Sequence, residues 1–102
     1  MLEFLELGKN QINQIDALQS PNNRLVFLTE LYLYMNKLKQ FPKNASFPIL
    51  KVLNLNKNPD LKSLDLGYCP LLESLTASQC SISDINSFKG CQSLKELDLA
   101  FN

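Results

Sequence analysis

The chain has 102 residues, 45% of them hydrophobic, and its 10 basic and 10 acidic side chains leave a formal net charge of zero. That length suits one domain with a real core, and the even charge balance argues against nucleic acid, which is held by a basic surface that neutralises phosphates. No apolar run approaches the roughly 20 residues of a membrane span, and the absence of histidine removes the commonest general base and metal ligand.

Taken in chain order, one spelling keeps returning. Leu2, Leu5, Leu7 and Asn10 read L-x-x-L-x-L-x-x-N, followed by Ile12, Ile15 and Leu18. Ser20-Pro21-Asn22-Asn23 then reads as a loop. The spelling recurs at Leu28, Leu31, Leu33 and Asn36, followed by Leu38 and Phe41, and again at Leu50, Leu53, Leu55 and Asn58. It returns at Leu72, Leu75, Ala77 and Cys80, followed by Ile82, Ile85 and Phe88, and finally at Leu94, Leu97, Leu99 and Asn102. The opening leucines are 26 residues apart at the first step and 22 apart at every later one. Pro42, Pro48, Pro59 and Pro70 argue against a helix in the connecting segments, which are expected to be 3₁₀ or coil.

The pattern dictates a coil. Leucines at the fourth and sixth positions alternate with polar residues, the period of a strand with one buried face. So short a strand cannot cover that face alone, but stacked copies bury it together and pair their edges. Asparagine at the ninth position then turns inward, where its amide satisfies backbone groups of adjacent coils. Leu61, Leu64, Leu66 and Cys69 repeat the spelling halfway through the third unit. Eleven residues are about half of the 20–29 that one turn of such a coil needs, so this copy is expected as a short strand-like stretch on the return side.

The same alternation aims the third, fifth and seventh positions outward from the strand face. These are Phe4, Glu6 and Gly8; Glu30, Tyr32 and Tyr34; Val52, Asn54 and Asn56; Ser74, Thr76 and Ser78; and Glu96, Asp98 and Ala100. Met35 and Phe101 follow at the rim, and Lys51 and Lys95 fall one place outside. Phe4, Tyr32 and Tyr34 put aromatic area where folding does not require it, and Glu6, Glu30, Glu96 and Asp98 make the face acidic. The candidate partner-binding residues are therefore Phe4, Glu6, Glu30, Tyr32, Tyr34, Asn54, Asn56, Thr76, Glu96 and Asp98. Aromatic and charged residues also simply suit exposed strand positions.

Other signals read as structural. Cys69 and Cys91 each stand three residues before the leucine that opens the next unit, so they should stack as neighbours. Buried free thiols are preferred to a disulfide or a zinc site for them. Asn44-Ala45-Ser46 is a glycosylation sequon that matters only in a secreted protein. Glu96 and Asp98 lie on an open face with no histidine or enclosing pocket expected, so neither catalysis nor a cofactor is anticipated.

The five copies of the motif resemble the leucine-rich-repeat family, and the resemblance covers the whole chain. Asn10-x-Ile12-x-x-Ile15 and Cys80-x-Ile82-x-x-Ile85 look like its 22-residue class, which includes an intracellular regulatory subunit of Ser/Thr phosphatases, ciliary and nuclear adaptors, and internalin-type adhesins. Cysteine for asparagine, as at Cys80, is a variation found in that family, whereas Phe41-Pro42 is closer to other classes. The resemblance implies an α/β-type solenoid, a right-handed superhelix with short parallel strands on the concave face and little regular α-helix. One domain over residues 1–102 is expected, with units starting near 2, 28, 50, 72 and 94 and no caps. It would be part of a longer chain, and its bare ends would favour end-to-end self-association. The expected function is a non-catalytic module that binds a basic or amphipathic protein segment on the concave sheet. A regulatory or targeting domain of a larger enzyme, such as a phosphatase or ubiquitin ligase, and a structural element of a large assembly are the alternatives. An odd number of cysteines, and Glu3, Glu6 and Lys9 where a leader's apolar block would stand, favour an intracellular, cytoplasmic setting without membrane insertion.

Overall fold

Each copy of the motif forms a three-residue strand centred on its fourth-position leucine, because alternation leaves that leucine the only side chain of the three on the inner face. In the computed structural model, which describes residues 2–13, 15, 25–41, 46–66, 68–87 and 90–102, the strands are β1 (Phe4–Glu6), β2 (Glu30–Tyr32), β3 (Val52–Asn54), β4 (Ser63–Asp65), β5 (Ser74–Thr76), β6 (Asp84–Ser87) and β7 (Glu96–Asp98). The expected loop at Ser20–Asn23, Leu18, Pro42, the Asn44-Ala45 part of the sequon and Phe88 lie outside the described residues, as does the side chain of Ile85.

The strands stack in parallel in the order β1-β2-β3-β5-β7. Leu5, Leu31, Leu53, Leu75 and Leu97 share one row of the register. The bonds that lock this stack also repeat: each sixth-position amide donates to a fifth-position carbonyl of the next coil, from Leu7 to Tyr32 at 2.8 Å through Ala77 to Asp98 at 2.8 Å. The eighth-position amides of Lys9, Met35, Lys57 and Gln79 donate to the next coil in the same way. The structure is a parallel β-solenoid.

Chain direction reverses out of the sheet at that eighth position. Lys9, Met35, Lys57, Gln79 and Phe101 all hold left-handed backbone, with φ between 56° and 61°. None is a glycine, so each turn carries a conformational penalty of about 1 kcal/mol. What all five share is the ninth-position side chain that follows, Asn10, Asn36, Asn58, Cys80 or Asn102, which donates back to the seventh-position carbonyl across the turn and over-determines it.

Among the described residues the interior is one cluster. Leu31, Leu53 and Leu75 are fully buried, with Leu28, Leu50 and Leu72 behind them and Leu33, Leu55 and Ala77 beside them. Burying a leucine contributes about 1.5–3 kcal/mol, so this row supplies much of the driving force. The outermost coils are less complete: Leu97 is 44% exposed, and Leu5, Leu7, Leu94 and Leu99 are only partly covered.

On the return side the halfway motif forms β4, with Leu61, Leu64, Leu66 and Cys69 buried in the same cluster. The fourth return, read from sequence as coil, is strand β6, which pairs with β4 in a second parallel sheet. Ser63 faces Asp84 but Asp65 faces Ser87, so β6 carries an extra residue at a bulge. The first return closes with a 3₁₀ turn at Leu25–Phe27. In the second, Phe41 packs on Phe47 with ring centroids 6.0 Å apart, both buried. Phe47 has no place in the repeat spelling and belongs to the core all the same.

The asparagine ladder takes the form its chemistry requires. Asn36 Nδ2 donates to Leu7 O at 2.9 Å and Leu33 O at 3.0 Å, and its Oδ1 accepts Ile12 N at 3.1 Å. Asn58 does the same one coil on, to Leu33 O and Leu55 O and from Leu38 N. Asn102 likewise donates to Ala77 O and Leu99 O and accepts from Ile82 N. Cys80 keeps only a weak thiol donor, aimed at Leu55 O at 3.3 Å. A thiol is a poor acceptor, and the amide that would have used it sits in the Pro59-Asp60 turn. There Ser81 Oγ donates to Pro59 O at 2.7 Å instead.

Candidate functional site

Three columns of side chains stand out from the five-stranded sheet: Phe4, Glu30, Val52, Ser74 and Glu96; Glu6, Tyr32, Asn54, Thr76 and Asp98; and, just beyond the strands, Gly8, Tyr34, Asn56, Ser78 and Ala100. At the β1–β2 end, rings and carboxylates alternate like a checkerboard, since Phe4 faces Glu30 and Glu6 faces Tyr32.

Those residues are tied together. The Phe4 and Tyr32 rings pack diagonally with centroids 5.3 Å apart and planes tilted by 42°. Tyr32 Oη donates to Glu30 Oε1 at 2.8 Å, and Tyr34 Oη donates to Glu6 Oε2 at 3.1 Å. Glu6 Oε1 also accepts the amide of Gly8. Each phenol therefore titrates above its ordinary value, because the hydrogen bond to the carboxylate holds its proton and the carboxylate charge opposes a phenolate. Phe4 remains 51% exposed, so the cluster presents ring area to solvent.

Gly8 makes this corner possible. A Cβ there would stand 2.3 Å from Tyr34 Cζ and 2.5 and 2.6 Å from its ring Cε atoms. The Tyr34 ring lies across the bare backbone of the neighbouring coil. The sequence places Gly8 on this face, but its partnership with Tyr34 emerges only once the 26-residue step sets them side by side.

The other candidate residues divide by role. Seventh-position amides lie outside the inter-coil ladder and are capped by side chains: Asn54 Oδ1 accepts Asn56 N at 3.0 Å, Asn56 Oδ1 accepts Ser78 N at 2.8 Å, and Asp98 Oδ1 accepts Ala100 N at 2.9 Å. Glu6 does this for Gly8. Part of the polarity of the face thus serves the fold, within one coil at Gly8, Asn56 and Ala100 and between coils at Ser78. Thr76 lies beside Asp98 in register, and Glu96 and Asp98 are exposed on the last strand. At about 4.8 Å per strand, three spacings separate that acidic pair from β2. Just outside the face, Lys95 pairs with Glu73 at 3.1 Å, both in solvent.

A family model described as "Leucine Rich repeat" matches residues 57–74 and 90–102. The first segment spans β4 and its motif on the return side, and the second spans β7, so the same spelling serves both faces of the coil. No curated protein and no solved structure matches the chain.

Proposed function

The chain is a leucine-rich-repeat protein, and from that premise we propose that it binds another protein across its five-stranded face, without catalysis, with the Phe4–Tyr32–Tyr34 corner as the anchor. Repeats of this family generally mediate protein–protein contact, and a row of short parallel strands gives an extended surface suited to a peptide segment or a domain edge. The observation that carries the reading is the corner itself. Three rings sit outside the core: Tyr34 lies on Gly8 and bonds Glu6, Tyr32 bonds Glu30, and half-exposed Phe4 packs on Tyr32. Rigid, solvent-facing aromatic area of this kind is what anchors protein interfaces, because little side-chain freedom is lost on binding.

Glu6 and Glu30 at the corner and Glu96 and Asp98 at the far end favour a basic or amphipathic segment. Asn54, Asn56 and Thr76 line the way between them. Buried free thiols at Cys69, Cys80 and Cys91 support a reducing, cytoplasmic setting.

Selection of a displayed random-peptide library against the intact chain, followed by affinity measurement on purified peptides, tests this. The Tyr32→Ala, Tyr34→Ala double variant should bind the selected peptides about a hundredfold more weakly or worse. Its circular-dichroism melt should stay near that of the parent, since both rings lie outside the core cluster. Unchanged affinity in the folded double variant removes the corner as the anchor.

A further inference from the structure

The geometry points to an arginine side chain of the partner as the group this corner receives, its guanidinium lying on the Phe4 and Tyr32 rings and paired with Glu30. The assignment rests on the protein-binding reading above and narrows it to one chemistry.

Ring faces and a carboxylate stand together here in the relation a planar cation needs. Phe4 faces Glu30 across the register, and Tyr32, in diagonal ring contact with Phe4, is two residues beyond Glu30 on the same strand. A cation over the rings is attracted to their negative faces. From there its N–H groups reach sideways to the carboxylate. Glu30 gives Oε1 to Tyr32, and its other oxygen has no partner among the described residues. Glu6, bonded by both Gly8 and Tyr34, is already held and adds negative charge one position away.

Charge complementarity extends over the whole face. None of the outward positions of the five coils carries lysine or arginine, so no internal cation competes for Glu30. Lys51, Lys95, Lys9 and Lys57 fall on the flanking positions. Arginine is favoured over lysine on physical grounds. Guanidinium is planar, stacks on rings, is weakly hydrated, and donates within its plane to a carboxylate, whereas ammonium is a compact, strongly hydrated point charge. The corner is also preorganised, because the Tyr32–Glu30 and Tyr34–Glu6 hydrogen bonds fix both carboxylates before a ligand arrives.

The test uses three short Gly/Ser peptides that differ only in carrying spaced arginines, lysines or citrullines, titrated into the labelled intact chain and followed by NMR. The arginine peptide should move the amides of Gly8, Tyr32 and Tyr34 and the ring signals of Phe4 and Tyr32. The lysine peptide should bind about fivefold or more weakly than arginine, and citrulline, which keeps the shape without the charge, should not bind measurably. Glu30→Gln still offers Tyr32 an acceptor but has no charge, and should weaken the arginine peptide about fivefold or more. Asp60→Asn, on the return side, removes the same charge and should leave that affinity unchanged. Equal binding of lysine or citrulline, equal loss in the two charge variants, or shifts confined to Glu96 and Asp98 would each overturn the arginine assignment. Those results leave the protein-binding reading standing, whereas library-selected ligands indifferent to the tyrosine double variant would remove the anchor itself.

Discussion

Asn58→Ala lowers the unfolding free energy by about 4 kcal/mol, measured by urea denaturation at neutral pH. The side chain is fully buried and bridges two coils through its three shortest bonds: to Leu33 O at 3.1 Å, to Leu55 O at 2.8 Å and from Leu38 N at 3.1 Å. Alanine removes all three and leaves the Leu38 amide without its acceptor, while Leu33 O and Leu55 O each lose a bond. Each buried polar group so stranded costs about 1–3 kcal/mol. Net stabilities of 5–15 kcal/mol are usual for domains, so the variant gives up a large share. Asn58→Cys, which imitates Cys80, keeps a weak donor and should lose about half as much. Asn10→Ala, in the exposed first coil where the two bonds go to Leu7 O and Gly8 O, should lose no more than about 1 kcal/mol. Equal losses at Asn10 and Asn58 would show that the ladder does not act by bridging buried coils.

Alkaline pH should destabilise the fold steeply. Burial pushes the Cys69 thiol up to about 12, with a further rise from the nearby Cys91 sulfur opposed by a bond to the Phe47 backbone. Burial also raises Cys80 and Cys91. The sign follows from which state holds the proton. Above about pH 8.5 the unfolded chain releases its thiol protons, while the folded chain keeps that of Cys69 until about pH 12. The folded state's advantage is therefore complete below pH 8.5 and is lost as pH climbs through that window. For Cys69 the loss reaches about 4 kcal/mol at the top of it. The raised phenols of Tyr32 and Tyr34 act in the same direction. Urea denaturation at a series of pH values should show this fall, and Cys69→Ala should flatten most of it. A thiol absorbance titration of the folded protein that placed Cys69 near 8.5 would contradict the burial.

What the sequence disclosed was whatever repeats. The strand phase, the leucine rows, the inward asparagines and the strand-like half-copy at Leu61–Cys69 all follow from one spelling, because stacking demands the same residue at the same height in each coil. What it concealed was whatever depends on a neighbour's identity. Phe47 lies outside the spelling, yet fills the return-side core against Phe41. The left-handed turns fall on Lys9, Met35, Lys57, Gln79 and Phe101, four residue types of which none is the glycine such backbone favours. No glycine marks them, because the ninth-position side chain that follows each one bonds back across the turn and holds the conformation. Strand β6 exists because β4 offers it an edge, whereas its own segment has no leucine alternation. At the candidate site, the sequence placed the rings and carboxylates on one face. The Tyr34–Gly8 seat, the Tyr34–Glu6 bond and the Asn56 cap of the Ser78 amide needed the register.

Native-state hydrogen exchange tests most directly whether successive coils form one body around a shared interior. The amides of Leu33 and Leu55, which donate to Asn54 O and Thr76 O at 2.8 and 2.7 Å, lie mid-stack. They should be the slowest to exchange and should do so together, at the rate set by global unfolding, while Leu7 at the outer coil opens sooner. Fast or independent exchange of Leu33 and Leu55 would mean that the coils open one by one and that no common core holds the binding face in register.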